Sequence, residues 1–153
     1  MKWSYIIIVA LVLLMSVSGS LITNGGMNWY DSINLPTFTP PGSVIGGVWT
    51  IIFILFAIIS ILMWRQGKSA WRRRISCLFI MNAILNIGWS AVFFGWHQIG
   101  WAVVVAVLLE ISVLSLIISM WSRLHYWTIL LWPYAAWVLF ATYLTYRVWL
   151  LNV

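Results

Sequence analysis

SVIGGVWTIIFILFAIISILMW, residues 43–64, is a run without a single charged side chain. At about 1.5 Å of rise per residue, a helix of this length spans a hydrocarbon layer of roughly 30 Å. In lipid, a helix is the one single-segment structure that pairs its own backbone groups, so the run reads as a transmembrane helix. Similar runs lie on either side of it, at about 5–23, 75–95, 101–121 and 126–150. Together they predict an all-α integral membrane bundle of five transmembrane helices, one domain over residues 1–153, with a loop at 24–42. The composition agrees: 64% hydrophobic and 7% charged residues with a mean hydropathy of +1.04. A water-soluble domain of this size could not carry that on its surface, and no length is left for a separate soluble catalytic domain. The first twenty residues also resemble a secretory signal, with Lys2, an apolar run Tyr5–Met15, then Ser16, Ser18, Gly19 and Ser20. We read them as the first helix.

The net charge of +6 points to topology rather than to nucleic acid, because the basic residues sit at the ends of apolar runs and form no face. Arg65, Lys68, Arg72, Arg73 and Arg74 crowd the second loop, which the positive-inside rule assigns to the cytoplasm. Lys2, the N-terminus and Arg123 then fall inside. The first loop, the His97 loop and the C-terminus with Arg147 fall outside, in what is expected to be a bacterial inner membrane. Pro40, Pro41 and Gly42 form a helix entry, and Pro133, read as interior to the last helix, is expected to bend it. Cys77 has no second thiol or nearby histidine, so it reads as a small buried apolar residue and no metal site is expected. His97 and His125 fall on opposite sides of the membrane and cannot both ligate one haem iron within a subunit. The only acids are Asp31, read as a loop cap, and Glu110, at mid-membrane on the fourth helix. Glu110 either bonds a serine such as Ser112 or Ser115 or serves a cation-coupled transporter. Ala102 and Ala106 make a small-xxx-small pair too common to define a dimer interface.

Thirteen tryptophans exceed ordinary usage. Nine of them, Trp3, Trp29, Trp64, Trp71, Trp96, Trp101, Trp121, Trp127 and Trp149, lie near helix ends or in loops and read as interfacial anchors. Trp49, Trp89, Trp132 and Trp137 sit inside helices. On the third helix, Asn82, Asn86, Trp89 and Phe93 share one stripe, and an asparagine facing lipid would leave its amide unpaired. These amides therefore face protein, water or ligand, and interhelical bonding is the plainer reading. The last helix carries a matching stripe of Tyr134, Trp137, Ala141, Leu144 and Val148. If the two stripes face each other beneath Trp49, they enclose an aromatic-walled cavity for a flat, largely apolar ligand. The loop segment WYDSINLPTFTPPG, Trp29 to Gly42, is too rich in proline and aromatics for a floppy connector and suits a lid.

Three blocks carry a family resemblance: WYDSINLPTFTPPGSVIGGVW (Trp29–Trp49), LNIGWSAVFFGWHQIGWA (Leu85–Ala102) and WPYAAWVLFATYLTYRVWLLN (Trp132–Asn152). They resemble the tryptophan-rich sensory protein (translocator protein, TspO/MBR) family over about half the chain, in the expected order. The resemblance implies a five-helix homodimer that binds protoporphyrin IX and related tetrapyrroles, with cholesterol and benzodiazepine-type drugs as further ligands in animals, and that requires no cofactor. It implies a pocket of Tyr30, Trp49, Asn82, Asn86, Trp89, Phe93, Trp137, Phe140, Ala141 and Leu144. It also implies that Trp49 and Trp137 are the catalytic residues if porphyrin is degraded in light and oxygen. Three departures stand out: Leu35 where the family often has lysine, Arg147 three places before the arginine of the animal sterol motif, and Glu110 about five residues beyond the family's usual acid. The expected role is a membrane receptor or sensor for tetrapyrroles and lipid-like or drug-like molecules, with a porphyrin-degrading enzyme or a small-molecule transporter as alternatives.

Overall fold

The computed structural model describes residues 2–66 and 69–153; Lys68, part of the basic loop, lies outside them. The elements are α1 (Lys2–Tyr30), α2 (Gly42–Gln66), α3 (Ser69–Ser90), a π turn (Ala91–Gly95), α4 (Ile99–Leu124), a 3-10 segment (His125–Leu131) and α5 (Trp132–Leu151).

The first helix does not stop at residue 23 but runs on through Asn24, Gly25 and Gly26, so the loop shrinks from 24–42 to 31–41. Paired glycines cost a helix about 1 kcal/mol each relative to alanine, so packing has to hold this stretch. Gly26 supplies the reason, because a Cβ built there would lie 2.5 Å from the Phe94 carbonyl oxygen. The glycine marks a close helix crossing rather than a turn. Its partner, the π turn, is closed by Trp96 N–H bonding to the Ala91 carbonyl at 2.8 Å, five residues back. The wider turn lets the consecutive rings of Phe93 and Phe94 both be buried, at 3% and 9% exposure.

Four helical runs are long and apolar enough to cross a membrane among the described residues: Trp3–Tyr30, Gly42–Gln66, Ala70–Gly95 and Ile99–Leu151. The sequence predicts five separate spans; the last two are joined here, because the connection at residues 125–131 is itself helical. Straight, the 53-residue final run would extend about 80 Å, more than twice the hydrocarbon thickness. Instead α4 and α5 lie side by side, and the chain reverses at the 3-10 segment, where His125 takes φ 32° and ψ −108°. Pro133 therefore does not bend a helix. It occupies the first turn of α5, where its missing N–H costs nothing. Trp132, expected inside, is 53% exposed at that helix start and belongs with the interfacial tryptophans.

Three contacts sort the helix ends into two poles. At one pole Trp29 stacks on His97 with ring centroids 4.3 Å apart, and the Asn34 backbone N–H donates to Asn152 Oδ1 at 3.0 Å. Asn152 Nδ2 returns a bond to the Asn34 carbonyl at 2.9 Å, so the first loop is tied to the end of α5. At the other pole the Arg123 guanidinium lies 5.3 Å from the Trp71 ring centroid. Between the poles, Phe56 meets Phe79 and Tyr134 edge to face in a core shared by α2, α3 and α5. Ala102 and Ala106 are buried inside this single chain, at 0% and 2% exposure, which removes them as a dimer surface. Cys77 is exposed on the outer face of α3, not buried. A membrane bundle turns apolar residues outward to lipid, so hydrophobicity does not predict burial there.

Candidate functional site: an aromatic-walled cavity

Four helices each turn one stripe toward a common space, and the stripes share a spacing. On α2 the residues are Gly42, Ile45, Gly46, Trp49, Thr50 and Phe53, at i, i+3, i+4, i+7, i+8 and i+11. The same offsets recur on α1 (Ser16, Gly19, Ser20, Thr23, Asn24, Met27) and on α5 (Trp137, Phe140, Ala141, Leu144, Thr145, Val148). On α3 and its π turn they give Asn86, Trp89, Ser90, Phe93 and Phe94. This is one helix face sampled over three turns. The cavity between them is partly open, has a volume of about 450 Å³ and lies toward the pole that holds the first loop.

Nine of the ten residues expected at the pocket line this space: Tyr30, Trp49, Asn86, Trp89, Phe93, Trp137, Phe140, Ala141 and Leu144. Asn82 does not. It is fully buried one helical turn deeper, with its amide spent on other partners. Asn82 Nδ2 donates to Ser112 Oγ at 2.8 Å and its Oδ1 accepts from the Tyr134 hydroxyl at 3.0 Å. Tyr134 in turn accepts from Asn86 Nδ2 at 3.2 Å, and Ser112 donates to the Leu109 carbonyl at 2.7 Å. A carbonyl can only accept, so this last bond fixes the donor direction along the whole chain from Asn86 to α4. The interhelical reading of the two asparagines thus holds for Asn82 fully and for Asn86 on its amino side.

The walls are stacked aromatics. Trp89 lies parallel to Phe93 with centroids 5.3 Å apart, Trp49 stacks on Phe53 at 5.6 Å, and Trp137 tilts against Phe140 at 5.3 Å. Tyr30 closes the α1 end against Phe93 and Phe94 at 6.1 and 5.6 Å. The indole N–H groups of Trp89 and Trp137 are buried with no hydrogen-bond partner among the described residues. A buried donor left unpaired costs roughly 1–3 kcal/mol, so two such donors on cavity-lining residues are suited to acceptor atoms of a guest. None of the lining residues is acidic, basic, histidine or cysteine. The site can stack a guest and donate hydrogen bonds, and the Tyr30 hydroxyl is its one lining side chain of the kind used for proton transfer.

Residue-level reading missed the α1 wall. Ser16, Gly19 and Ser20 look like the end of a signal sequence and Asn24 like the start of a loop; the helical spacing they share with Thr23 is the signal that puts them on one face. Of the two readings of Glu110, a bond to Ser112 or Ser115 is not made: both serines turn their hydroxyls to the carbonyls of Leu109 and Ile111, and Glu110 Oε2 is buried without a partner among the described residues.

These features define an integral membrane helical bundle with an aromatic-walled internal cavity. Residues 7–150 match the TspO/MBR family, and the chain belongs to it. It is 32% identical over 143 residues to the tryptophan-rich protein TspO of Archaeoglobus fulgidus, covering 92% of each chain. Against the TspO of Bacillus cereus it is 34% identical over 158 residues and 99% of each chain. Against the human translocator protein it is 31% identical over 134 residues, 86% of this chain and 79% of the human one.

Proposed function

We propose that this protein is a membrane receptor or sensor whose cavity binds a tetrapyrrole such as protoporphyrin IX, or a lipid-like or drug-like molecule of similar flatness. The observation that carries the reading is the cavity itself. At about 450 Å³ it falls within the roughly 300–1,000 Å³ of small-molecule pockets, and it is walled by three tryptophans, two with free indole donors. A macrocycle stacks on such rings while its polar edge meets the few donors. No cofactor is required for binding. The names of the relatives, tryptophan-rich protein and translocator protein, fit such a role, and the second keeps transport as an alternative.

The topology belongs to the same proposal. Trp29 with His97 and Asn34 with Asn152 lie at one pole, and Arg123 with Trp71 at the other, so a chain threading between them crosses the membrane five times. The arginine-rich pole is cytoplasmic, with the N-terminus, in an inner membrane. The cavity then opens toward the outer leaflet. A homodimer, which the family resemblance implies, completes the proposed assembly.

Adding protoporphyrin IX to the purified protein should quench tryptophan fluorescence saturably, and Trp137→Ala should weaken binding by about 1–3 kcal/mol through lost area and stacking. Equal affinity in wild type and variant would remove Trp137 from the site. A second reading, photo-oxidation of the bound porphyrin, is favoured by one observation: Trp49 and Trp137, the expected redox pair, both line the cavity.

A further inference from the structure

Among the described residues Arg147 is the one lysine or arginine at the cavity pole; every other lysine or arginine of the sequence falls in residues 2, 65–74 or 123. It lies on α5 one turn beyond Leu144, continuing the Phe140–Leu144 edge of the lining stripe toward the helix end. Two contacts bring the first loop over the same stretch of α5. Phe38 stacks on Tyr143 with centroids 5.7 Å apart, and Asn34 Nδ2 reaches the Leu151 carbonyl at 3.4 Å. Tyr143, Arg147 and Leu151 are spaced i, i+4 and i+8, so Arg147 sits on the edge of α5 that the loop crosses, beside the cavity lining rather than in it.

The ordinary structural roles of such an arginine are already taken. A basic residue near a helix C-terminus often binds the last carbonyls, but here Asn152 Nδ2 holds the Val148 carbonyl at 2.7 Å, the Asn152 N–H holds that of Trp149, and Asn34 holds that of Leu151. Arg72 and Arg123 rest on tryptophan faces, at 4.4 and 5.3 Å from the ring centroids of Trp64 and Trp71. Arg147 has no such platform among the described residues, and its Nε is buried without a hydrogen-bond partner. A permanently charged, planar donor fork in a partly dehydrated position is matched chemically by a carboxylate.

We propose that Arg147 is the docking group for a carboxylate of the cavity's ligand, holding the acid edge of an amphipathic guest beneath the first loop while the rings stack below. The assignment rests on the tetrapyrrole reading of the cavity and makes it more specific. The preferred guest is a macrocycle with ionised acid side chains at one edge, and an ester of the same macrocycle lacks the recognised group.

The test compares protoporphyrin IX with its dimethyl ester by fluorescence quenching, in wild type, Arg147→Gln and Arg147→Lys. The wild type is expected to bind the diacid more tightly than the ester. Arg147→Gln should lose about tenfold in affinity for the diacid and less than about twofold for the ester, and Arg147→Lys should fall between, since lysine keeps the charge without the fork. Added salt should weaken diacid binding more in wild type than in Arg147→Gln. Retained ester binding shows that the variant is folded. Equal wild-type affinities for diacid and ester, or equal losses for both in Arg147→Gln, would overturn the carboxylate assignment and leave the cavity reading standing. If neither porphyrin binds the wild type, the tetrapyrrole reading falls and takes this assignment with it.

Discussion

At the residue scale, the chemistry of the cavity turns on what its indoles do. Trp49 and Trp137 offer broad π faces, and Trp137 also offers a buried N–H without a partner. Phenylalanine keeps a stacking face but oxidises far less readily than indole and donates no hydrogen bond, so it separates holding a porphyrin from reacting with it. Trp49→Phe and Trp137→Phe should retain most porphyrin affinity, with Trp137→Phe the weaker because it forfeits the donor. If the protein degrades the porphyrin, light-driven loss of the bound absorbance should slow markedly in both variants. Bleaching in the wild type no faster than in detergent alone would make the protein a binder rather than an enzyme. The aromatic walls on α3 and α5 were legible in the sequence because aromatic and amide residues are conspicuous at helical spacing, whereas the small polar residues of the α1 wall are not. Asn82 was not separable from Asn86 that way. Both lie on the same stripe, and only the bonds to Ser112 and Tyr134 show that one faces the core while the other reaches the cavity.

At the element scale, the crossing of α1 over the π turn shapes the loop end of the cavity, and it rests on one absent methyl group. A Cβ at Gly26 would meet both the carbonyl oxygen and the Cβ of Phe94, at 2.5 and 2.7 Å, atoms that cannot swing aside. A Cβ at the neighbouring Gly25 would meet nothing within 4 Å. Gly26→Ala should therefore push α1 off the π turn and cost about 1–3 kcal/mol, lowering the thermal midpoint in detergent. Gly25→Ala should be neutral or slightly stabilising, because it removes the helix penalty of glycine without a clash. Equal midpoints for the two variants would mean that the crossing is loose. The Asn24-Gly25-Gly26 sequence reads as a helix end because glycine carries two meanings, a flexible turn and a close approach, and only the partner element distinguishes them. The same limit explains Pro133. A proline breaks a helix or begins one according to what precedes it, and the apolar 3-10 segment at residues 125–131 is indistinguishable by composition from a first helical turn, which makes Pro133 look interior.

At the scale of the whole molecule, charge and connectivity each bear on the proposed topology. Arginine clustering orients the bundle without reference to packing, because the rule concerns loops and the membrane. The pairs Trp29 with His97, Arg123 with Trp71 and Asn34 with Asn152 assign the helix ends to poles without reference to charge. The two agree: Arg65, Arg72, Arg73, Arg74 and Arg123 collect at the pole opposite the cavity. A single cysteine introduced into a Cys77→Ser background can test both at once. Gln66 and Ser122 are exposed at the arginine pole, and Ser32 is exposed in the first loop. Cysteines at residues 66 and 122 should react with an impermeant thiol reagent only after the cytoplasmic face is opened, whereas one at residue 32 should react in intact cells. Residue 122 is the discriminating position, because it lies just before the reversal that divides the 53-residue run. Labelling at 122 from outside, with 66 still protected, would place the two sites on opposite sides of the membrane and break the five-crossing path. Labelling at both 66 and 122 from outside, with 32 protected, would keep that path and invert the molecule, turning the cavity mouth and Arg147 toward the cytoplasm.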